Sequence, residues 1–258
     1  MLWLLPLAAI DTSPAGCDAI MSKMTYTRSS TRHLPCRSVG IGSLINNDLV
    51  PALIADQAFP QFHCHALGLH SCAPREVFPH GPIGVRRRAG GRLKIAGGII
   101  KRCGTRVLYT AAALALNFSR RVERNTTAVH IRNGDKMNFE SRKLRGVTDN
   151  STWWRGFLKG KVVGRLKVYS DSCDIAKEVA RPWGGSVSCP TRPVHTGKGR
   201  ALMTCAETMA WLDEIRAMAN AEVFVGSMRS NIPRLVRRLR KGDGVPVPQS
   251  ATGRMWWD

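Results

Sequence analysis

Negative charge is scarce in this chain. Against 39 lysines and arginines stand 18 aspartates and glutamates, a net charge of +21 near neutral pH. That balance excludes an acidic, solvating composition and favours anionic partners. Nucleic acid, an anionic membrane surface and a phosphorylated small molecule all qualify, and charge alone does not choose among them. A GC-rich coding sequence that enriches Arg, Ala and Gly would give the same excess with no functional meaning. Tyrosine is scarce too, with 3 residues, which leaves little to build base-stacking platforms. No RNP, KH, zinc-finger or helix-turn-helix signature stands beside the basic clusters at Arg86 to Arg88, Arg120 and Arg121, and Arg237 to Lys241. Nucleic acid is therefore not the expected partner, although a basic nucleic-acid-binding protein is the alternative reading of a different class.

Long apolar runs are missing as well. The opening MLWLLPLAAID has about ten apolar residues and no basic flank, too short to span a bilayer and a poor signal peptide. No membrane anchor is visible, so the expectation is a soluble chain or one whose anchor lies outside this sequence. The 8 cysteines (17, 36, 64, 72, 103, 173, 189, 205) form no C-x-x-C pair, which removes the zinc-ribbon reading. Their even number permits disulfides. FHCHALGLHSC contains Cys64, His65, His70 and Cys72, competent ligands whose spacing fits no standard zinc site, and no metal is expected. No heptad or internal repeat is visible.

What remains is globular. Hydrophobic residues make up 43% and charged residues 22%, with 24 Gly and 14 Pro promising long loops. A chain of this length buries a sizeable core, as one large domain or as two lobes of roughly 100 to 150 residues. Three N-x-S/T sequons occur, at Asn117, Asn125 and Asn150, relevant only in a secretory compartment.

Along the chain, SVGIGSLINNDLVPALIADQAF (38 to 59) reads as a strand end, a Gly turn and a helix carrying Leu44, Leu49, Leu53 and Ala55. Pro51 should delay that helix or kink it. Residues 60 to 92, rich in Pro, Gly, His and Arg, read as loop. A lobe boundary falls near residue 105, giving an irregular N-terminal lobe at 1–104 and a C-terminal lobe at 105–258. In the second lobe TRVLYTAAALALNFSRRV is helical by propensity, and TTAVHI is a short β-branched strand. GRLKVYS is a second strand followed by the helix DIAKEVA. TCAETMAWLDEIRAMAN opens on the capping box Thr204-x-x-Glu207 and places Met209, Leu212, Ile215 and Met218 or Ala219 on one face. AEVFVGS is a third strand, and NIPRLVRRLRK a basic helix with Pro233 in its first turn. Strands alternating with helices predict a parallel α/β sheet.

In such a sheet ligands sit beyond the carboxyl ends of the strands, and three strand ends here are polar. His130, Arg132 and Asp135 follow the first, Ser170, Asp171 and Ser172 the second, and Ser227, Arg229, Ser230 and Asn231 the third. A strand ending in Gly226, a hydroxyl-rich turn and a helix N-terminus capped by Ser230 or Asn231 would present backbone N–H groups and a positive dipole end to a phosphate. Arg132 could grip phosphate oxygens as a fork. Plainer roles stand beside these: Asp171 and Ser172, or Ser230 and Asn231, as simple helix caps; His130 and Arg132 as a satisfied polar pair; Asp135 and Glu140 as solvated loop carboxylates.

Together these stretches resemble a known family. HIRNGDK resembles the H-x-R motif of GDP-fucose-dependent fucosyltransferases, particularly the α1,6-fucosyltransferase and nodulation fucosyltransferase group. RLKVYSDSCDIAKEVA is similar to that family's second motif and DEIRAMANAEVFVGSMRSNIPRLV to its third, in the same order, while GIGSLINN faintly resembles its Gly-rich N-terminal opening. Where the α1,6 enzymes have a second Arg, an Asp-Asp pair and a first turn Ser, this chain has Asn133, Asp171-Ser172 and Arg229. The resemblance implies a GT-B-like fold of two Rossmann-like lobes, the N-terminal one short or incomplete. It implies a GDP-sugar donor, a glycan or glycoprotein acceptor, no metal or other cofactor, and work in the Golgi lumen or secretory pathway. By position, His130 and either Asp213 or Glu214 would contact the guanine, and Arg132 the β-phosphate. Ser230 and Asn231 would hold the diphosphate beside Ser227, and Asp171 and Ser172 would line the cleft. Glu140 would take the acceptor hydroxyl proton, with Lys136 and Asp135 close to it. The implied reaction is transfer of fucose from GDP-fucose with inversion. A catalytically degenerate glycosyltransferase fold acting as a binding protein is the remaining alternative.

Overall fold

The computed structural model describes residues 13–34, 41–62, 72–78, 92–132, 150–190, 203–226 and 230–246. Its centre is a sheet of β3 (Glu123–Ile131), β4 (Arg165–Ser170), β5 (Ser186–Ser188), β6 (Ala221–Gly226) and β7 (Val245–Pro246). The spatial order is β5-β4-β3-β6-β7, and every neighbouring pair is parallel. The helices between strands are α7 (Ser151–Leu158), α8 (Cys173–Ala180), α9 (Cys205–Asn220) and α10 (Asn231–Leu239). From β3 the chain moves outward through α7 and α8, then returns through α9 to the other side of β3 before going on to β7. The expected parallel α/β sheet is present, in a doubly wound order.

Alternation along the strands assigns the two faces. Ala128, Tyr169 and Phe224 join the larger core, with Leu212, Ile215 and Met218 of α9 and Leu235 and Val236 of α10. Val129, Ile131, Val168 and Val225 point to the opposite face and pack with Trp154 and Leu158 of α7 and Ala176 and Val179 of α8.

The N-terminal part contributes α1 (Pro14–Lys23), β1 (Thr25–Leu34), α2 (Ile41–Leu44), a π-helical turn (Ile45–Leu49), α3 (Val50–Asp56), β2 (Ala58–Phe62), α4 (Pro74–Val77) and α5 (Arg92–Cys103), with α6 (Arg106–Ala115) leading into β3. Strands β1 and β2 pair in parallel as a separate two-stranded sheet. Helix formation begins at Ile41, ten residues before Pro51, rather than after it. The wide π turn absorbs the proline: the Val50 N–H bonds Ile45 O, and Pro51 then falls in the first turn of α3, where its missing N–H costs nothing. The stretch read as loop holds the end of β2, α4 and the start of α5. Ile45, Leu49 and Leu53 share the larger core with Val107 and Ala111 of α6 and Leu235 of α10.

Three disulfides tie the described elements. Cys17–Cys103 joins α1 to α5, Cys72–Cys205 joins the approach to α4 to the first residue of α9, and Cys173–Cys189 joins α8 to the exit of β5. No helix among the described residues is long and apolar enough to cross a membrane.

Candidate functional site

The strand order reverses between β3 and β6: chain leaving β3 goes to one side of it, and chain entering β6 comes from the other. The helices that follow these two strands, α7 and α10, lie on opposite faces of the sheet, and it is at such a reversal that doubly wound sheets take ligands. The three polar strand ends read from the sequence belong to β4, β3 and β6, which are adjacent in that order.

At the end of β3, His130 is 2% exposed and sits in register with Tyr169 of β4 and Gly226 of β6. Its Nδ1 has no hydrogen-bond partner among the described residues. The His130 pKa is lowered to about 4, chiefly by burial, with Asp171 opposing the shift and Arg132 adding to it. The imidazole is therefore neutral at physiological pH. Arg132, two residues on, forms an ion pair with Asp171 at the end of β4, Nη1 to Oδ2 3.0 Å. The carboxylate is almost buried, its side chain 7% exposed, and the guanidinium keeps 22%. Arg132 thus pairs with Asp171 rather than with His130. Ser172 occupies the N-cap position of α8 but makes no capping bond through its side chain; its N–H donates instead to Ser170 Oγ at 3.0 Å.

The start of α10 is built from both ends of the chain. Ser230 stands at the N-cap, 6% exposed, with no side-chain capping bond. The first intrahelical bond runs from the Arg234 N–H to Ser230 O at 3.2 Å. Pro233 has no N–H to satisfy, so the first-turn donors are the backbone amides of Asn231 and Ile232. Asn231 Oδ1 accepts from Arg234, and its carbonyl accepts from Asn46 Nδ2 at 2.7 Å. Asn46 Oδ1 in turn accepts from Arg238 Nη1 at 2.6 Å. Gly42 approaches so closely that a Cβ there would lie 2.7 Å from Ile232 Cδ1 and 3.4 Å from the Asn231 carbonyl carbon. GIGSLINN and the third strand's helix are thereby one structural unit, a contact across almost two hundred residues that no local pattern announces.

Glu214 and Asp213 part company on α9. Asp213 is exposed and pairs with Arg216 at 2.8 Å. Glu214 faces the sheet, accepts a hydrogen bond from Ser188 Oγ, and helps burial raise the pKa of Tyr169, the register partner of His130. Asp135, Lys136, Glu140 and Ser227 lie outside the described residues, as do Arg229, Cys64, His65 and His70. Cys72, from the same His- and Cys-rich stretch, is bonded to Cys205; although Glu76 lies beside the pair, the two sulfurs bind each other and offer no thiolate.

Part of the basic surface expected from the sequence is internal. Arg238 and Arg240 are 8% and 1% exposed. Arg240 donates to the carbonyls of Ala221, Glu222 and Asp243 and to Asp243 Oδ2, fastening the α9–β6 junction. These two cations brace the fold and are not available to attract a ligand.

No protein-family model matches the chain, and no curated protein matches it. Among solved structures, POFUT1 in complex with GDP-fucose aligns with a TM-score of 0.29 at 14% identity, over 50% of this chain and 41% of that one. The chain therefore spans less than half of that protein's length.

Proposed function

We propose that this chain is a GDP-sugar-dependent glycosyltransferase that moves fucose from GDP-fucose to a glycan or glycoprotein acceptor with inversion. The observation that carries the reading is the adjacency of the three motif-bearing strand ends at the reversal point of a doubly wound sheet. It sets a neutral buried imidazole, a guanidinium and a helix N-terminus beside one another. The order and wording of the motifs supply the sugar nucleotide.

In this reading the guanine lies against His130 and Glu214, whose neutral and anionic groups suit the base's donor edge. Arg132 leaves or shares Asp171 to grip the β-phosphate, and the amides of Asn231 and Ile232 take the remaining charge with the dipole of α10. Negative charge grows on the diphosphate as the bond to the sugar breaks, and fixed donors stabilise that growth without a metal. Glu140 accepts the acceptor hydroxyl's proton, Lys136 balances charge near it, the hydroxyl oxygen bonds the anomeric carbon from the opposite side, and GDP departs. The disulfides agree with folding in an oxidising compartment, and the secretory pathway is the proposed location.

Titration calorimetry with GDP tests the reading. The chain should bind GDP in the micromolar to submillimolar range, and Arg132→Ala should weaken binding by at least tenfold, since a charge-assisted contact contributes about 1.5–3 kcal/mol. Unchanged affinity in that variant removes the assignment. A steep salt dependence of RNA or DNA binding, indifferent to Arg132, would favour the nucleic-acid alternative.

A further inference from the structure

The nucleotide site leaves the three sequons unused. Asn117 and Asn125 are both exposed, and both have left-handed backbones, φ 45° and 55°. Asn117 follows the last turn of α6, its N–H bonded to Leu114 O at 3.0 Å. Asn125 lies where the β3–β6 register shifts between Glu123 and Thr127, its N–H held by Glu222 Oε2 at 2.6 Å. In each case the main chain is fastened while the residue stands at the surface. Asn150, also exposed, has its Oδ1 accepting from the Trp153 N–H at 2.9 Å and caps α7.

Position within the sheet adds a second constraint. Helix α6 enters β3 from its amino end, and Asn125 is the third residue of that strand, so both asparagines lie at the pole opposite Arg132 and the start of α10. Between them is Val122, 53% exposed, the most exposed of the large hydrophobic residues described. The described cysteines are all in disulfides, which form and persist in the compartment where sequons are read.

We infer that Asn117 and Asn125 are N-glycan acceptor sites, and that their two glycans cover Val122 and the amino pole of the sheet while leaving the carboxyl pole open. The donor class is a lipid-linked diphosphate oligosaccharide. The asparagine Nδ2 forms a bond to the sugar's C1 as the C1–O bond to phosphate breaks. The lipid diphosphate leaves with the bonding pair, and one Nδ2 proton passes to a base of the transferase. The inference does not depend on the proposed nucleotide activity.

Asparagine also tolerates φ > 0 better than most residues, which alone would explain both positions. The experiment separates the two explanations. The full chain, sent into the secretory pathway of a eukaryotic cell by an added leader, is treated with peptide N-glycosidase in ¹⁸O water and mapped by mass spectrometry. Asn117 and Asn125 should both be recovered as ¹⁸O-labelled aspartate. Asn117→Asp and Asn125→Asp, which keep tolerance of the left-handed backbone, should each remove one glycan-sized step in gel mobility. Should a variant fail to leave the cell, the same map is read on its membrane fraction. Recovery of either position as unlabelled asparagine, from protein in which the three disulfides of the described residues map intact, overturns the inference, as does labelling of Asn150 alone.

Discussion

His130 shows how a single residue can report on the site without any ligand. It is buried beside an ion pair, with a pKa lowered to about 4, so the unfolded chain binds a proton that the folded chain refuses between about pH 6.5 and 4. Its contribution is fully present above pH 6.5 and is lost as pH falls through that window, on the order of 3 kcal/mol for such a displacement. Urea unfolding at pH 7 and pH 4.5 should show a large stability loss in the native protein, and His130→Gln should reduce that loss. Equal losses in the two proteins would mean that the imidazole is solvated. Asn46 is the corresponding residue at the helix start, where it serves Asn231 and Arg238 together. Replacing it by Leu leaves a buried guanidinium short of an acceptor and should cost about 2–3 kcal/mol. Asn46→Asp, which keeps the acceptor, should cost less in the same melt.

At the scale of elements, β3, β4, β6, α8, α9 and α10 were legible because each obeys a local rule. Thr204 and Glu207 form the reciprocal cap that their spacing announces, with Glu207 N to Thr204 Oγ1 3.2 Å and Thr204 N to Glu207 Oε2 2.7 Å. The apolar stripe of α9 is the buried one. By contrast α7 was missed, since Trp153, Trp154 and Phe157 lie among Gly and basic residues and are organised by stacking, with Trp153 on Phe157 at 5.1 Å. β5 has only three residues and takes its identity from pairing with β4. In the site, residue types and strand ends were legible, but the partners were not: Arg132 with Asp171, Asn46 with α10, and Glu214 with Ser188 are all non-local. The turn before β4 gives a test of such a contact. Gly164 has φ +58°, and a Cβ there would lie 2.1 Å from Asn125 O. Gly164→Ala must therefore move backbone at the β3 bulge, and about 2–4 kcal/mol of destabilisation is expected in thermal melts.

For the whole molecule the question is whether the sequence divides as its character suggests. By sequence pattern residues 1–104 read as irregular and residues 105–258 as regularly alternating, which predicts two lobes with a boundary there. The larger core nevertheless draws Ile45, Leu49, Leu53 and Ile99 from one side of that boundary and Val107, Ala111, Leu235 and Leu239 from the other. Cys72–Cys205 also crosses it, with a sequence separation of 133. Burial of such side chains contributes about 1.5–3 kcal/mol each, and a disulfide closing so long a loop typically 2–4 kcal/mol more. Losing these contributions together would cost about as much as, or more than, the 5–15 kcal/mol by which domains of this size are stable. A fragment of residues 105–258 would expose the α6 and α10 faces of that core to water. Expressed alone, it should melt without a cooperative transition and bind a hydrophobic dye, while the full chain unfolds cooperatively. If instead the fragment melts sharply and keeps GDP affinity, the C-terminal half is an autonomous nucleotide-binding lobe, and the packing across residue 105 is an interface between lobes rather than a shared core.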